Sequence, residues 1–351
     1  MLRSAKTFTP SVLLTAALLL GCSTAAPPAV TPDAAAQDSG IPAVKPVADL
    51  NAHRDRAVEV VRQASQSEDA LLRTLALEAV QYAPDLALPL VTLGLTDESP
   101  AVRFSALYAA GKLRLVALTG MFQDAYLQDK EDPMYDHVRA AIIFAAKRCG
   151  VADDRIMSVM AGLLMHPDPR VRANAAMLTG ELGNDSAIPL LRQCVHKPRA
   201  SKIGGIHWQL LSIQVAEALA KLGDANGLAE LRRSSYSNFD EIRILSVQAL
   251  GRLGDDAFWS NMNNFLVENP VEFRLAAAEG LARLGRDRGG MLTVMAEAST
   301  HELATVRAQS AFALGPYDND LARGYLVRLL KDADPKVRIS AAAAILQATA
   351  E

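Results

Sequence analysis

Aromatic side chains are scarce in this chain: Phe, Trp and Tyr make up 5% of 351 residues, although 50% of the residues are hydrophobic. That disfavours a sandwich or barrel core and leaves the interior to Ala, Leu and Val, which suit closely packed helices. Basic charge is not in excess. The formal net charge is −3, whereas a nucleic-acid partner asks for a basic protein or a basic stripe, so none is expected. The apolar run at 11–20 is too short to cross a bilayer as a mature helix. Signatures of catalysis are also missing. The six His are scattered, and HExxH, GxSxG, the P-loop and GxGxxG do not occur. The expectation is a chain that is not an enzyme and takes no cofactor or metal. There are three Cys. Cys149 and Cys194 fall in neighbouring helical segments, where a disulfide in an oxidising compartment and two buried thiols are both open.

What is present is a repeat. The stretch 169–183, PRVRANAAMLTGELG, returns in variants that place Val, Leu or Ile, then Arg, then a run of Ala, then Leu-Gly. Aligned on the Arg, the register residues are Arg73, Arg103, Arg139, Arg172, Ser212, Arg243, Arg274, Arg307 and Arg338, at intervals of 30 to 40 residues. The preceding slot is apolar, from Leu72 and Val102 to Val337, and the seventh residue after is apolar in most copies, as in Leu250, Leu281 and Ile345. Eleven residues on stand Gly150, Gly183, Gly223, Gly254 and Gly285, where a helix C-terminus wants Gly in the left-handed region. Asp-Pro, as at Asp168-Pro169 and Asp334-Pro335, suits a turn into a helix. One such helix cannot bury its small-residue face alone, but stacked copies can. The fold expected is all-α, an α-solenoid of about nine helix pairs with the Arg-bearing helix second in each.

The pattern D-x-x-P-x-V-R-x-x-A at 97–106 and 332–341 resembles the HEAT repeat. The short period and the A-L-G-x-L-G ending at 249–254 are similar to the HEAT-like units of phycobilin lyases. The resemblance covers residues 48–351. It implies that Arg73, Arg103, Arg139, Arg172, Arg243, Arg274, Arg307 and Arg338 are structural, each at a repeat interface and bonded to an Asp or to carbonyls of the turn between helices. An Asp six residues before the Arg is present only as Asp97 and Asp332, with His166 and His301 in that slot elsewhere. HEAT-fold deoxyhypusine hydroxylases use several His-Glu pairs as iron ligands, and His301-Glu302 is a lone one. HEAT-like DNA glycosylases are opposed by the acidic balance and by the export signal described next.

Residues 1–21 have the form of a signal peptide, with Arg3 and Lys6 ahead of the apolar run. Leu19-Leu20-Gly21-Cys22 resembles the lipobox of bacterial lipoproteins, which implies cleavage before Cys22 and lipid on its sulfur. Two or more acyl chains, at about 0.8 kcal/mol per buried CH₂, would make a stable anchor. Ser23 in the next position implies the outer membrane, facing the periplasm. Residues 22–47 form an Ala- and Pro-rich linker, and 48–351 form the repeat array.

The second helices are expected to line the concave face of the superhelix. The ninth residues after the register position are Tyr82, Lys112, Arg148, Glu181, Lys221, Arg252, Arg283, Pro316 and Gln347. Their basic members make a ridge for an acidic partner, or else pair with the fifth residues, as Glu217 with Lys221 and Glu279 with Arg283. Tyr108, Phe144, Met177 and Phe312 in the fifth row are a protein-binding patch or part of the core. The longest interval holds an insertion at 196–208 with Lys197, Arg199, Lys202, a Gly204-Gly205 pair and Trp208. Such a loop is a binding element, or a tolerated insertion with Trp208 covering the core. The candidate partner-binding residues are Tyr108, Lys112, Arg148, Lys197, Arg199, Lys202, Trp208, Lys221, Arg252 and Arg283. The partner expected is a protein or peptide of the cell envelope, gripped by a lipid-anchored scaffold. The rival is a HEAT-like lyase or other enzyme with a small-molecule site in the groove.

Overall fold

The structure, a computed structural model, describes residues 42–127, 135–196, 204–268, 270–286 and 290–350. They form helices joined by short turns, with no strand among them. Among the described residues eighteen α-helices make nine pairs. The first three pairs are α1 (Arg54–Ser65) with α2 (Ala70–Ala79), α3 (Pro84–Gly94) with α4 (Pro100–Leu113), and the short α5 (Thr119–Phe122) with α6 (Tyr135–Arg148). The next three are α7 (Arg155–Leu164) with α8 (Pro169–Leu182), α9 (Ile188–Cys194) with α10 (Gly205–Lys221), and α11 (Ala225–Ser234) with α12 (Asp240–Arg252). The last three are α13 (Trp259–Phe265) with α14 (Val271–Arg283), α15 (Met291–Ala298) with α16 (Ala304–Leu314), and α17 (Asp320–Leu329) with α18 (Pro335–Ala348). The register residue lies in the second helix of every pair.

The sequence pattern accounts for this packing. The apolar slot before the register residue is buried in all nine pairs, as is the slot seven residues after it, including Thr179 and Leu250 at 0% exposure. Thr179 satisfies its hydroxyl by donating to the Ala175 carbonyl at 2.7 Å. Gly150, Gly183, Gly223, Gly254 and Gly285 all take positive φ at the ends of second helices. In the second pair the same geometry falls on Arg114, with φ +50°. Asp69, Asp168 and Asp334 cap α2, α8 and α18 through their side chains. Second helices approach one another very closely: a Cβ on Gly251 would sit 2.6 Å from the Gly280 Cα, so α12 and α14 are in backbone contact.

The array closes on itself. Each second helix packs on the next, α2 on α4 and so on to α18, and α18 then packs on α1 and α2. One apolar cluster accordingly contains both Leu50–Ala83 residues such as Val61 and Leu75 and last-pair residues such as Ile345 and Leu346. Arg54 fastens the seam, donating to the Leu346 carbonyl at 3.3 Å, the Thr349 hydroxyl at 2.8 Å and the Tyr82 carbonyl at 3.1 Å. Nine pairs that close into a ring turn by about 40° each, the small per-repeat rotation typical of solenoids. Residues 42–47, the end of the expected linker, lie along α17 as a strap. Val47 N–H donates to the Asp320 carbonyl at 2.9 Å, Arg323 Nε donates to the Val47 carbonyl at 2.8 Å, and the Lys45 carbonyl rests on Gly324.

Candidate functional site

Closure decides where the fifth and ninth rows point. They face the axis of the ring, and the side chains there meet one another. Lys112 of α4 reaches past α6 to Glu181 of α8, Nζ to Oε2 at 2.8 Å. Lys221 binds the other oxygen of Glu181 at 2.7 Å and also Glu217 at 3.2 Å. Arg252 holds Glu217 through two donors at 3.2 and 2.8 Å, and Arg283 holds Glu279 at 2.6 Å. Burial would raise the Glu217 carboxyl, but Arg252 and Lys221 outweigh it and bring the group down to about 2. Glu181 is lowered in the same way: burial opposes, and Lys221 and Lys112 prevail.

The basic residues of the ninth row are therefore not an open ridge. Lys112, Lys221, Arg252 and Arg283 are ion-paired at the ring centre, and Arg148 donates to the Gly111 carbonyl at 3.3 Å. Glu217–Lys221 and Glu279–Arg283 form the i,i+4 pairs that the spacing allows. Tyr108 is buried and stacked on Phe144 with ring centroids 5.6 Å apart; Met177 is buried as well. Trp208 is buried inside α10, which begins at Gly205 and so shortens the irregular part of the insertion. The Arg172 guanidinium lies 5.3 Å from its ring centroid. Lys197, Arg199 and Lys202 lie outside the described residues. So do residues 1–41, with Cys22. Cys149 and Cys194 are free and buried.

The turns inside the pairs line one rim of the ring, stitched by the register arginines. Arg73 donates to the Ser67 and Glu68 carbonyls of its own turn, both at 2.9 Å, and takes Asp97 of the next turn bidentately at 2.7 and 2.9 Å. Arg307 repeats this with His301, Glu302 and Asp332. Asp97 and Asp332 thus serve the arginine of the preceding pair, while Arg103 and Arg338 bond the carbonyls of those same residues. Where the next turn offers no acid at that place, Arg172 takes the Cys194 and His196 carbonyls at 2.8 and 3.1 Å. Arg243 reaches Glu268 at 2.7 Å, Arg274 reaches Glu297 at 3.3 Å, and Arg139 lies 3.9 Å from Asp136.

Two further features were not singled out from sequence. On the turn rim of pairs six to eight, Tyr236, Phe239, Val267 and Leu303 are exposed. At the seam, a cavity of about 260 Å³ is lined by residues that include Asn51, Tyr317, Arg323 and Thr349. Among the described residues no three His, Cys, Asp or Glu side chains are grouped so as to hold a metal ion.

Residues 125–203 match the family described as HEAT repeats. None of the curated proteins matches the chain. Among solved structures, the complex of CpcE and CpcF of phycocyanin lyase from Nostoc sp. PCC7120 is 18% identical, over 72% of this chain and 91% of that one, with a TM-score of 0.40. Human deoxyhypusine hydroxylase is 17% identical over 76% of this chain and 97% of that one, with a TM-score of 0.36. Kap121p bound to Nup53p is 14% identical over 82% of this chain and 37% of that one, with a TM-score of 0.34. The match to HEAT repeats covers residues 125–203, and stacked helix pairs of the same kind run on either side of it among the described residues.

Proposed function

We propose that the chain is a protein-binding scaffold of the cell envelope, tethered by lipid on Cys22, and that it binds through its rim and outer surface. One observation carries this: the ring centre is occupied by its own ion pairs, while Tyr236, Phe239, Val267 and Leu303 remain exposed in the turns of three successive pairs. A contiguous exposed apolar surface on a folded chain marks an interaction site. No helix among the described residues is long and apolar enough to cross a membrane, so attachment would depend on the anchor. Cys22→Ala should move the protein from the membrane fraction to the soluble one; retention in the membrane removes the anchor. Crosslinking in intact cells should capture a discrete protein partner.

The second reading is a small-molecule or catalytic site, and the seam cavity favours it. A ligand or metal that accompanies the purified protein, together with no captured protein, would establish that reading over the scaffold.

A further inference from the structure

In three pairs the residue four before the register position caps the second helix through its side chain. Asp69, Asp168 and Asp334 accept a backbone N–H there, the residue type that position prefers. In pairs six, seven and eight the same position holds Phe239, Pro270 and Leu303, and no side-chain cap bond is made. Phe239 is 49% exposed and Leu303 55%, so the surrendered cap is not exchanged for burial. Val267, in the turn before Pro270, is 85% exposed, and Tyr236 is 56% exposed. Tyr236 leans edge-on against Phe265 at 5.4 Å, two residues from Val267, and Arg243 ties its turn to Glu268. Three successive turns therefore present apolar side chains side by side. Large apolar side chains left exposed in three adjacent turns, with no gain in the fold, mark an interaction surface.

The unpaired charge around this strip is acidic. Asp240 and Glu241 open α12, Glu272 opens α14, and Glu268 and Glu302 lie in the turns. Glu241 and Glu302 are exposed and make no ion pair among the described residues. The bases nearby are committed: Arg243 to Asp240 and Glu268, Arg274 to Glu297, Arg233 to Glu230. Acids at helix N-termini complement the dipole, but that does not account for the apolar residues among them. Anionic lipid headgroups and nucleic acid are repelled by such a surface.

We propose that Tyr236, Phe239, Val267 and Leu303, flanked by Asp240, Glu241, Glu268 and Glu302, dock a cationic amphipathic segment of a partner protein, its apolar face on the strip and its Lys or Arg toward the carboxylates. This rests on the scaffold reading and names the partner's chemistry. The probe is a short fluorescent helix-forming peptide of Lys and Leu, titrated with the full chain at about 0.15 M salt. Phe239→Ser with Leu303→Ser restores capping residues and adds no charge. That variant should melt no lower than the parent yet bind about tenfold or more weakly. Glu241→Gln with Glu302→Gln should weaken binding and flatten its salt dependence. Unchanged affinity in the Ser variant, a parent protein that ignores the peptide, or preference for anionic phosphatidylglycerol vesicles overturns the proposal. Capture of an envelope protein that the Ser variant still retains would overturn this site and leave the scaffold standing. No captured protein from any surface removes both.

Discussion

Arg252 of α12 closes on Glu217 of α10 through two donors, and each side chain is only 3% exposed. Neither charge reaches bulk water, so each depends on the other. Lys221 contributes a second contact to Glu217 at 3.2 Å and links the pair to Glu181 and Lys112. Glu217→Gln leaves Arg252 buried without its counter-charge and should cost about 3–5 kcal/mol. The pH dependence has a defined sign. The Glu217 carboxyl stands at about 2 against an ordinary 4.5, so the unfolded chain binds the proton more readily. Its stabilisation is complete above the ordinary value and is lost as pH falls through about 2. Denaturant melts between those limits should slope for the parent and be flatter for the Gln variant; equal slopes would show that the pair is not coupled to folding.

Arg114 stands eleven residues after Arg103, where five other pairs place Gly, and it adopts the same left-handed conformation at φ +50°. A side chain with a Cβ is strained there, and Gly is not. Arg114 is exposed, so its removal opens no cavity. Arg114→Gly should stabilise the chain by about 0.5–1 kcal/mol after allowing for the greater freedom of Gly in the unfolded state. Thermal melts of the two proteins check this, and a lower melting temperature for the Gly variant would contradict it.

Cys149 and Cys194 are both buried thiols. Burial pushes the Cys194 thiol up to about 12, and Cys149 is raised for the same reason. Thiolate is the reactive form, so a thiol reagent at mildly alkaline pH should label neither residue in the native ring and both once denaturant is added. Absence of labelling after unfolding without reductant would point to a bond between them.

The register of the array was legible from sequence because the forces that set it are local. A left-handed turn at Gly183 or Gly254, a cap at Asp168 and an apolar slot at Leu250 each act within one helix pair, and each repeats. Closure was not legible. It is the sum of nine small rotations, and no single pair encodes it, so the sequence left Lys112, Lys221, Arg252 and Arg283 open between an exposed ridge and pairing with the fifth row. Closure turns all four inward as ion pairs, three of them spanning different helix pairs. The apolar strip was only half legible. Phe239, Pro270 and Leu303 stand four residues before the register Arg, where Asp69, Asp168 and Asp334 stand in other pairs, but Tyr135 and Trp208 fill the same slot and are buried, so exposure and not residue type sets the strip apart.

Gly324 lies inside α17, where Gly ordinarily weakens a helix by about 0.5–1 kcal/mol relative to Ala. Here the strap explains it. A Cβ at this position would collide with the Lys45 carbonyl and come within 3.1 Å of the Val44 side chain, and Val44 packs against the core that spans the seam. The strap is further held by Arg323 through the Val47 carbonyl at 2.8 Å and by the Val47 N–H on Asp320 at 2.9 Å. The effect of Gly324→Ala should therefore depend on whether the strap is present. In the full chain the methyl displaces residues 42–47 and should lower the melting temperature. In a chain that starts at residue 48 the same change meets no strap and should raise stability by about 0.5–1 kcal/mol through helix propensity alone. A reversal of sign between the two backgrounds is a coupling that a double-mutant cycle measures directly. The same sign in both would mean that the strap does not contribute to closing the ring.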